Sequence, residues 1–478
     1  MAEPLPSPTR PHHAPAPLDA VPAAAAAPAP IAWWLVFPFA IAPVALAVLQ
    51  LGRWHPDEVY QFLEPAWFRV HGYGVRAWEW HVGLRNWFAP LVLAFFLQIA
   101  HALGIDHPRL YRALLALPQL VLHAAMLVAA YRYGARRLSS QPAAATWIAF
   151  TLFAAFAPLL YFAGRTMGES LSAAFLVLAC EALDRGERPA RSAVLGGVFL
   201  GLAVAVRYGS AAFVAGVLLW LLLRKRWAVL GATCAGGAFV AASLAALDWA
   251  TWGRPLHSLL EYVQYNVLSG AAAQRFGASP GWYYAPLLVV WFPAWAWLGI
   301  PAAWHRERFV PLPAFAAASY LVAISVTAHK EDRFLYPALV LFALAGAPGL
   351  AWLIDRIPAH FLRAFAAAAA LAAGSIAWAV MPDVRGDQFR AQVKATRDPA
   401  ATGLLIVNEG LWGSGGFFYI GRNLPWYNCD FPDQALEILR RDPRVNRVIT
   451  FEGRAIPELQ SVGFRIVGGV GRETILAR

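Results

Sequence analysis

The sequence predicts an α-helical polytopic membrane protein with about eleven transmembrane helices and a small C-terminal α/β domain. Of its 478 residues, 59% are hydrophobic and 14% are charged, whereas about a quarter of the residues in soluble domains are charged. Apolar segments of about 20 residues recur, and a helix of that length crosses a bilayer core of about 30 Å. Because backbone polar groups in lipid must be satisfied internally, these segments are predicted to be helices.

The membrane part is predicted to extend over residues 32–382. It follows a Pro- and Ala-rich segment, residues 1–31, that is predicted to be a disordered cytoplasmic tail. The predicted spans are residues 32–50, 110–130, 143–163, 167–183, 193–207, 209–223, 227–247, 283–303, 310–328, 334–353 and 363–381. The further apolar run 87–104 is interpreted as interfacial or re-entrant, because one more crossing would reverse the orientation of every later loop.

Basic residues predict the orientation of these spans. The net charge is +11, and the cations cluster in short loops between spans, as in Arg224-Lys225-Arg226. Cytoplasmic loops carry such an excess, so the N-terminus and these loops are predicted to be cytoplasmic. This placement argues against nucleic acid as a partner. Abundant alanine and only three lysines are typical of a GC-rich bacterial genome, which predicts location in a bacterial inner membrane.

With eleven crossings and a cytoplasmic N-terminus, two long outer loops, residues 51–109 and 248–282, are predicted to lie on the extracytoplasmic side. The composition changes near residue 383, and residues 383–478 are predicted to form a small α/β domain on that side. Its predicted strands are residues 403–409, 444–451, 464–468 and 473–477. Its predicted helices are residues 431–442 and 456–462.

The three cysteines are Cys180, Cys234 and Cys429. Their spacing matches neither a disulfide framework nor a zinc site. No metal ion and no cofactor are therefore predicted from the residues.

Two charged motifs stand out in a chain that otherwise avoids charge. They are His55-Pro56-Asp57-Glu58, after the first span, and His329-Lys330-Glu331-Asp332-Arg333-Phe334, between two later spans. Ionisable groups at membrane level are usually functional. A sugar transfer from a lipid phosphate needs a base for the acceptor hydroxyl and positive charge for the leaving phosphate. Asp57 or Glu58 can supply the base, and the cations of the second motif can bind the phosphate: His329, Lys330 and Arg333.

These residues resemble those of glycosyltransferase family 22, the mannosyltransferases of N-glycan and glycosylphosphatidylinositol assembly. The first motif and the residues after it are similar to the family's first outer loop, and the second motif to its most specific sequence. The resemblance covers about residues 32–350. The other matching residues are Gln61, Glu64, Trp78, Glu79, Trp80, Arg85, Arg165, Arg207, Tyr265, Asn266, Phe276, Gly277, Pro280, Tyr284, Tyr336 and Pro337.

The resemblance implies a GT-C membrane fold and an inverting transfer from a polyprenyl-phosphate-linked sugar, typically mannose. It implies that Asp57 is the catalytic carboxylate and that no nucleotide sugar is used. The partners are then the lipid-linked donor, an acceptor glycan or glycolipid, and membrane lipid. The candidate substrate-binding residues are His55, Glu64, Trp78, Glu79, Arg85, Arg165, Arg207, Tyr265 and Asn266.

Other interpretations stay open from the sequence. A GT-C pentosyl or aminosugar transferase acting on lipid A or cell-wall glycan would keep the same base and a different donor. A lipid or glycan transporter would show internal repeats, which the chain does not display. Among single residues, Glu79 can simply pair with a nearby arginine, Glu331 can neutralise Arg333, and Arg207 can extend to the membrane interface.

Overall fold

The computed structural model describes residues 29–185, 189–357, 360–407 and 413–478. The predicted tail at residues 1–31 therefore lies almost entirely outside the described residues. The part of the chain before residue 383 is helical. Its helices are α1 (Trp33–Leu49), α2 (Glu64–His71), α3 (Trp78–His81), α4 (Phe88–Ala102), α5 (Pro108–Arg137), α6 (Ala143–Ala154), α7 (Ala157–Phe162), α8 (Gly168–Asp184), α9 (Pro189–Val206), α10 (Ala211–Leu223), α11 (Trp227–Trp252), α12 (His257–Val263), α13 (Ala271–Phe276), α14 (Tyr284–Trp291), α15 (Ala296–Glu307), α16 (Leu312–Val326), α17 (Tyr336–Asp355) and α18 (His360–Ala379).

Short helical turns connect some of these helices. Two are π-helical, Glu58–Leu63 and Gln264–Leu268, and two are 3₁₀-helical, Tyr208–Ser210 and Asp332–Leu335. Single π-helical turns occur frequently at functional sites. The first π-helical turn begins directly after Asp57, and the 3₁₀ turn at 332–335 contains Arg333, so both charged motifs lie at irregular helix starts.

Helices occupy every predicted span, although most are short. By length and composition, three helices within the described ranges can each cross a bilayer alone: Pro108–Arg137, Trp227–Trp252 and Asp332–Asp355. A bent pair, α14 and α15, adds a fourth candidate, and shorter apolar segments of 10–17 residues occur in seven further helical regions. The crossing number of eleven and the interfacial position of α4 stay predictions.

Two predicted spans are not continuous helices. The segment 143–163 divides into α6 and α7, and the segment 283–303 divides into α14 and α15, whose axes differ by 90°. Both breaks are next to a proline, Pro158 and Pro293, which lacks a backbone N–H group and collides with the preceding turn. The prediction of one unbroken helix in each segment is therefore wrong.

Helix α17 forms the centre of the membrane part. Its side chains are buried from Tyr336 to Gly349, and it packs against α6, α8, α15 and α16. Contact with α15 is close because small residues face each other: Gly299, Gly346 and Gly349. Such residues let helix backbones approach within membranes. This packing fixes the start of α17, where Arg333 lies.

The residues after 383 form a sheet covered by helices. The strands are β1 (Leu404–Val407), β2 (Trp426–Cys429), β3 (Arg447–Thr450), β4 (Arg465–Val470) and β5 (Glu473–Ala477), and the helices are α19 (Gly386–Arg397), α20 (Gly416–Ile420), α21 (Pro432–Arg441) and α22 (Ala455–Ser461). The strand order is β2-β1-β3-β5-β4. Strand β1 is parallel to β2 and β3, whereas β5 is antiparallel to β3 and β4. The sequence predicted four of these strands and missed β2, α19 and α20.

We expect Gly349→Ala to destabilise the membrane part. The added methyl group would overlap the carbonyl oxygen of Gly299, and overpacking of this kind costs about 1–3 kcal/mol. The melting temperature of the purified protein in detergent should fall by several degrees.

The matched control is Gly231→Ala. Gly231 lies in α11, where an added methyl group meets no heavy atom within 4 Å, and alanine is favoured over glycine in helices by about 1 kcal/mol. Equal melting temperatures for the two variants would contradict close packing of α15 against α17.

Candidate active site

An ion pair between the two charged motifs forms the centre of the candidate site. The Asp57 Oδ2 atom lies 2.7 Å from Nη2 of Arg333. Asp57 precedes the π-helical turn in the first long loop (residues 51–86), and Arg333 precedes α17. Both residues are buried, with exposed fractions of 9% and 8%. A buried charge is tolerated only when it is paired, so each motif needs the other.

Two further carboxylates share the Arg333 guanidinium. Its Nε atom donates to Oε2 of Glu331 at 2.6 Å, and its Nη1 atom lies 3.6 Å from Oε1 of Glu169. Glu169 lies in the first turn of α8, where the helix dipole favours an acid. The same Glu169 oxygen accepts a hydrogen bond of 3.2 Å from Nε of Arg207. The cluster therefore joins four segments that are distant in sequence.

Two imidazoles complete the cluster. His55 lies between two acids: its Nδ1 atom is 3.2 Å from Oδ1 of Asp57, and its Nε2 atom is 3.4 Å from Oε2 of Glu331. His329 Nε2 lies 3.1 Å from the other Glu331 oxygen. A protonated imidazole in either place is a cation beside the carboxylates, and a neutral one is a hydrogen-bond partner.

The surroundings keep the central carboxylates ionised. Burial by itself raises the pKa of Asp57, but Arg333 and then His55 outweigh it, so the pKa lies well below its ordinary range. Burial also raises the pKa of Glu331, but Arg333 and then His329 outweigh it and lower the pKa to about 2. Opposite charges within about 4 Å stabilise the ionised form in this way. Both groups are therefore proton acceptors at neutral pH.

A second ion pair lies in the same loop. Arg85 Nη2 is 2.7 Å from Oε1 of Glu79, and the amide of Gln61 donates to the same carboxylate at 3.2 Å. The pairing alternative considered for Glu79 is thus the arrangement that the structure has. Arg85 keeps one buried nitrogen, Nε, without a hydrogen-bond partner among the described residues.

Aromatic rings line the gap between the first long loop and the second long loop (residues 253–283). Trp78 lies 4.9 Å from Tyr265 and 6.1 Å from Phe276, measured between ring centroids. Phe276 is in turn 5.4 Å from the ring of His329. The guanidinium of Arg275 lies 4.3 Å above Trp78. We call Trp78, Tyr265 and Phe276 the aromatic wall, and it ends at the charged cluster.

Two predicted site residues make backbone contacts. Glu58 Oε1 accepts the N–H of Trp54 at 2.7 Å, which ties down the start of the π-helical turn. The Lys330 ammonium donates to the carbonyl of Ser279 at 3.0 Å and to that of Thr327. Lys330 therefore joins the second motif to the second long loop.

Glu64 is not among the residues around Arg333. It is fully buried, and its oxygens accept the backbone N–H groups of Val75 and Phe418 at 2.7 and 2.6 Å. Burial raises its pKa to about 8 against the lowering effect of these backbone donors. Glu64 lies at the junction between the first long loop and the C-terminal residues.

Arg165 and Asn266 also lie in other surroundings. Arg165 is buried and donates to the carbonyl of Gly52 at 2.8 Å and to the side chain of Gln50 at 2.7 Å. Asn266 donates to the carbonyl of Tyr262, one turn earlier. In this structure Arg165 holds the start of the first long loop, whereas Arg207 is the one of the two predicted span-end arginines that joins the charged cluster.

Glu169 is the site residue that the sequence prediction omitted. A signal was present, because an acid inside an apolar segment is itself an indication of function. Among the described residues, no group of three or more His, Cys, Asp or Glu side chains is arranged to hold a metal ion.

Comparison with known structures identifies the class of fold. The chain resembles the ArnT protein of Cupriavidus metallidurans bound to undecaprenyl phosphate, with a TM-score of 0.61, 13% identity, and coverage of 94% of this chain and 98% of that one. It also resembles the arabinofuranosyltransferase AftD from Mycobacteria, with a TM-score of 0.51, 16% identity, and coverage of 94% and 40%. The protein therefore has the GT-C fold and is an integral membrane protein.

The family is narrower than the fold. Residues 33–381 match the model of the Alg9-like mannosyltransferase family, and the chain belongs to that family. This confirms the resemblance found in the sequence.

Curated relatives agree with this membership. GPI mannosyltransferase 3 of Yarrowia lipolytica is 32% identical over 64% of this chain and 60% of its own length. Alpha-1,2-mannosyltransferase alg9 of Schizosaccharomyces pombe is 25% identical over 62% and 54%. The human GPI alpha-1,2-mannosyltransferase 3 is 26% identical over 59% and 51%. The chain thus spans between half and three fifths of the length of these relatives.

We expect Glu169→Gln to lower the melting temperature by several degrees. The change removes a buried negative charge that faces Arg333 and Arg207, and breaking a buried pair costs about 3–5 kcal/mol. Adding Arg207→Gln should recover part of the loss, because coupled charges are not additive.

The control for this prediction is Glu261→Gln. That carboxylate is 36% exposed and lies 4.0 Å from His257, and such exposed pairs contribute about 0–1 kcal/mol. Thermal unfolding in detergent measures all variants, and an unchanged transition for Glu169→Gln would contradict the shared carboxylate.

Proposed function

We propose that the protein is an inverting glycosyltransferase that moves mannose from a polyprenyl-phosphate donor to a hydroxyl group of a glycan or glycolipid. The observation that carries the proposal is the contact between Asp57 and Arg333, a residue that also lines an apolar groove. The contact puts a carboxylate beside a guanidinium, which are a base and a phosphate ligand. Family membership supports mannose as the sugar.

The groove supports a lipid-linked donor. It is lined by the apolar side chains of Trp54, Phe162, Trp291 and Tyr336, and Asp332 and Arg333 also line it. Trp291 ends α14, so the groove lies at the break between α14 and α15. An isoprenoid chain in this groove would bury apolar surface at about 25 cal/mol per Å², and its phosphate would lie near Arg333.

The transfer then follows from the charges. Asp57 accepts the proton of the acceptor hydroxyl as its oxygen forms a bond to the anomeric carbon. The bond between that carbon and the phosphate oxygen breaks on the opposite face, and the polyprenyl phosphate leaves. Arg333 and Arg207 stabilise the charge that develops on the phosphate. Nη1 of Arg207 is buried and has no hydrogen-bond partner among the described residues, so it can donate to the phosphate.

Donor binding also changes the basicity of Asp57. The pairing with Arg333 holds the pKa of Asp57 well below its ordinary range, which makes the carboxylate a weak base. A phosphate competes for the same guanidinium, and weaker pairing raises the pKa of the carboxylate. The base therefore becomes stronger when the donor is present.

Other residues receive supporting roles in this proposal. The aromatic wall packs against the acceptor glycan through the apolar faces of its sugar rings. His329 donates to the phosphate, and Lys330 orders the loop beside it. Glu58 holds the start of the π-helical turn. The need for no metal ion stays a prediction.

The proposed setting is a bacterial inner membrane with the N-terminus in the cytoplasm. The basic loops support this orientation through the positive-inside rule. Both long loops and the residues after 383 are then extracytoplasmic, where a flipped lipid-linked donor presents its sugar.

We expect Asp57→Asn to keep the fold and to lose about 10²–10⁴-fold in turnover, because a positioned base contributes that factor. Sugar transfer and release of polyprenyl phosphate are measured in proteoliposomes that carry polyprenyl-phosphate mannose, with a lipid and glycan extract as acceptor. Glu58→Gln is the matched control and should retain more turnover, because its carboxylate binds Trp54. Near-normal transfer by Asp57→Asn would assign the base elsewhere.

Polyprenyl-phosphate pentose and aminosugar donors extend this experiment. Transfer of one of these sugars, with no transfer of mannose, would replace mannose as the proposed sugar. Uptake of lipid without release of polyprenyl phosphate would identify a transporter instead of an enzyme.

We expect Arg333→Gln to shift the acid limb of the pH–rate profile to higher pH by at least about one unit. Removing Arg333 removes the main cause that lowers the pKa of Asp57, while burial, which raises that pKa, remains. A base with a raised pKa becomes protonated at higher pH as the pH falls, so activity is lost earlier. In the unsubstituted protein, kcat/KM, which reports the free enzyme, should persist below the ordinary carboxyl range.

The control for the profile is Arg254→Gln, an exposed arginine in the second long loop. Its acid limb should coincide with that of the unsubstituted protein. An acid limb that does not move in Arg333→Gln would show that the titrating base is not Asp57.

A further inference from the structure

The C-terminal residues cover the inner face of the first long loop. Phe389, Phe418 and Tyr419 are buried in one hydrophobic cluster with Tyr60 and Leu63 of the loop. The turn that follows Asp57 is therefore packed against residues beyond 383, which lie outside the part of the chain that matches the family.

A carboxylate joins the two parts. Glu64 follows the π-helical turn and begins α2, and its Oε1 atom accepts the N–H of Phe418 in α20 at 2.6 Å. Its Oε2 atom accepts the N–H of Val75 at 2.7 Å, within the loop itself. Gly416 begins α20 with a φ of +62°, and a Cβ atom there would lie 2.5 Å from the Glu64 carboxyl carbon. Glycine at 416 thus lets α20 approach Glu64.

A tyrosine joins α20 to the membrane helices. The Tyr419 hydroxyl donates to the carbonyl of Leu51 at 3.1 Å and accepts from Nη1 of Arg112 at 2.7 Å. Arg112 lies in α5 and also donates to the carbonyl of Ala47 in α1 at 2.9 Å. One side chain of the C-terminal part therefore fixes the point where α1 becomes the first long loop.

Further hydrogen bonds lie on both sides of Asp57. Before it, the N–H of Arg53 donates to the carbonyl of Val384 at 2.9 Å. After it, the hydroxyl groups of Tyr60 and Ser414 are 2.6 Å apart. Residues beyond 383 thus hold the backbone before Asp57 and the side chains of Tyr60 and Glu64 after it, while the Asp57 side chain faces Arg333.

We propose that the C-terminal part is an internal clamp on the first long loop, with Glu64, Gly416 and Tyr419 as positioning residues for Asp57. The clamp sets the distance between Asp57 and Arg333 without contributing a group to the reaction. The consequence for catalysis rests on the proposed function, whereas the clamp itself is a property of the fold. Misplacement of a reacting group by about 1 Å can cost about 10²-fold in rate.

The test compares Gly416→Ala with Gly463→Ala in the full-length protein in lipid nanodiscs. Both glycines have a positive φ, +62° and +93°, but an added methyl group at 463 meets no heavy atom within 4 Å. Both changes put an L-residue at a positive φ, and of the two only Gly416→Ala also presses on Glu64. Hydrogen–deuterium exchange of peptides covering residues 57–72 reports whether the loop is released.

We expect exchange in these peptides to be at least about tenfold faster in Gly416→Ala than in Gly463→Ala. In the transfer assay, Gly416→Ala should lower kcat by about 10–10²-fold with an unchanged KM for the donor. Tyr419→Phe should show a smaller decrease in kcat, again with an unchanged KM. Its control is Tyr427→Phe, because the Tyr427 hydroxyl binds Asp442 within the C-terminal part.

Two results would overturn the clamp. Equal exchange of residues 57–72 in Gly416→Ala and Gly463→Ala shows that the C-terminal part does not restrain the loop. Faster exchange with unchanged kcat shows that the restraint does not position the base. If even the unsubstituted protein transfers no sugar from any donor, the proposed function fails, and the exchange data still decide on the clamp. Tyr419→Phe keeps the aromatic packing, so it serves if Gly416→Ala does not fold.

Discussion

The buried guanidinium of Arg333 is the constraint on which the rest of the site depends. One cation holds Asp57 and Glu331 at hydrogen-bonding distance and has Glu169 within 4 Å. The three acids lie in three different segments: the first long loop, the second motif and the start of α8. Because a buried charge without a partner is costly, these segments are stable only together. The bundle is therefore built around a charged centre near the ends of its helices, and the close packing of α15 on α17 keeps the cation in place.

Restraint of the first long loop comes from two directions. The membrane part supplies Arg333 as a partner of the Asp57 side chain. Residues beyond 383 hold the loop backbone before Asp57 through Tyr419 and the side chain of Glu64 after it through the N–H of Phe418. A loop that carries a catalytic group is commonly a mobile element of an enzyme. Here the π-helical turn of the first long loop is entirely buried. The burial restricts the motion of the loop and keeps Asp57 at a fixed distance from Arg333.

The sequence predicted most residues of this site, but it did not predict which of them would be in contact. Both motifs stood out because acids and bases are rare in an apolar chain, and the helical segments followed from length. The pairing of Asp57 with Arg333 could not be read from spacing, since it depends on how helices that are distant in the chain pack together. Glu169 was missed because it begins an apolar helix. Helix α20 was missed because its Gly-rich start has no helical period and takes its position from Glu64. The 90° break depends on Pro293, which span length alone does not reveal.

The charge balance of the cluster explains why it contains two imidazoles. Three carboxylates face two arginines there, so the resting cluster carries excess negative charge while Asp57 and Glu331 stay ionised. A donor phosphate adds more negative charge at the same place, and repulsion would oppose its binding. Histidine can take up a proton near neutral pH and become a cation. His55 lies between two of the acids and His329 beside one, so a hydrogen bond or a positive charge from either imidazole would offset part of the negative charge of the carboxylates.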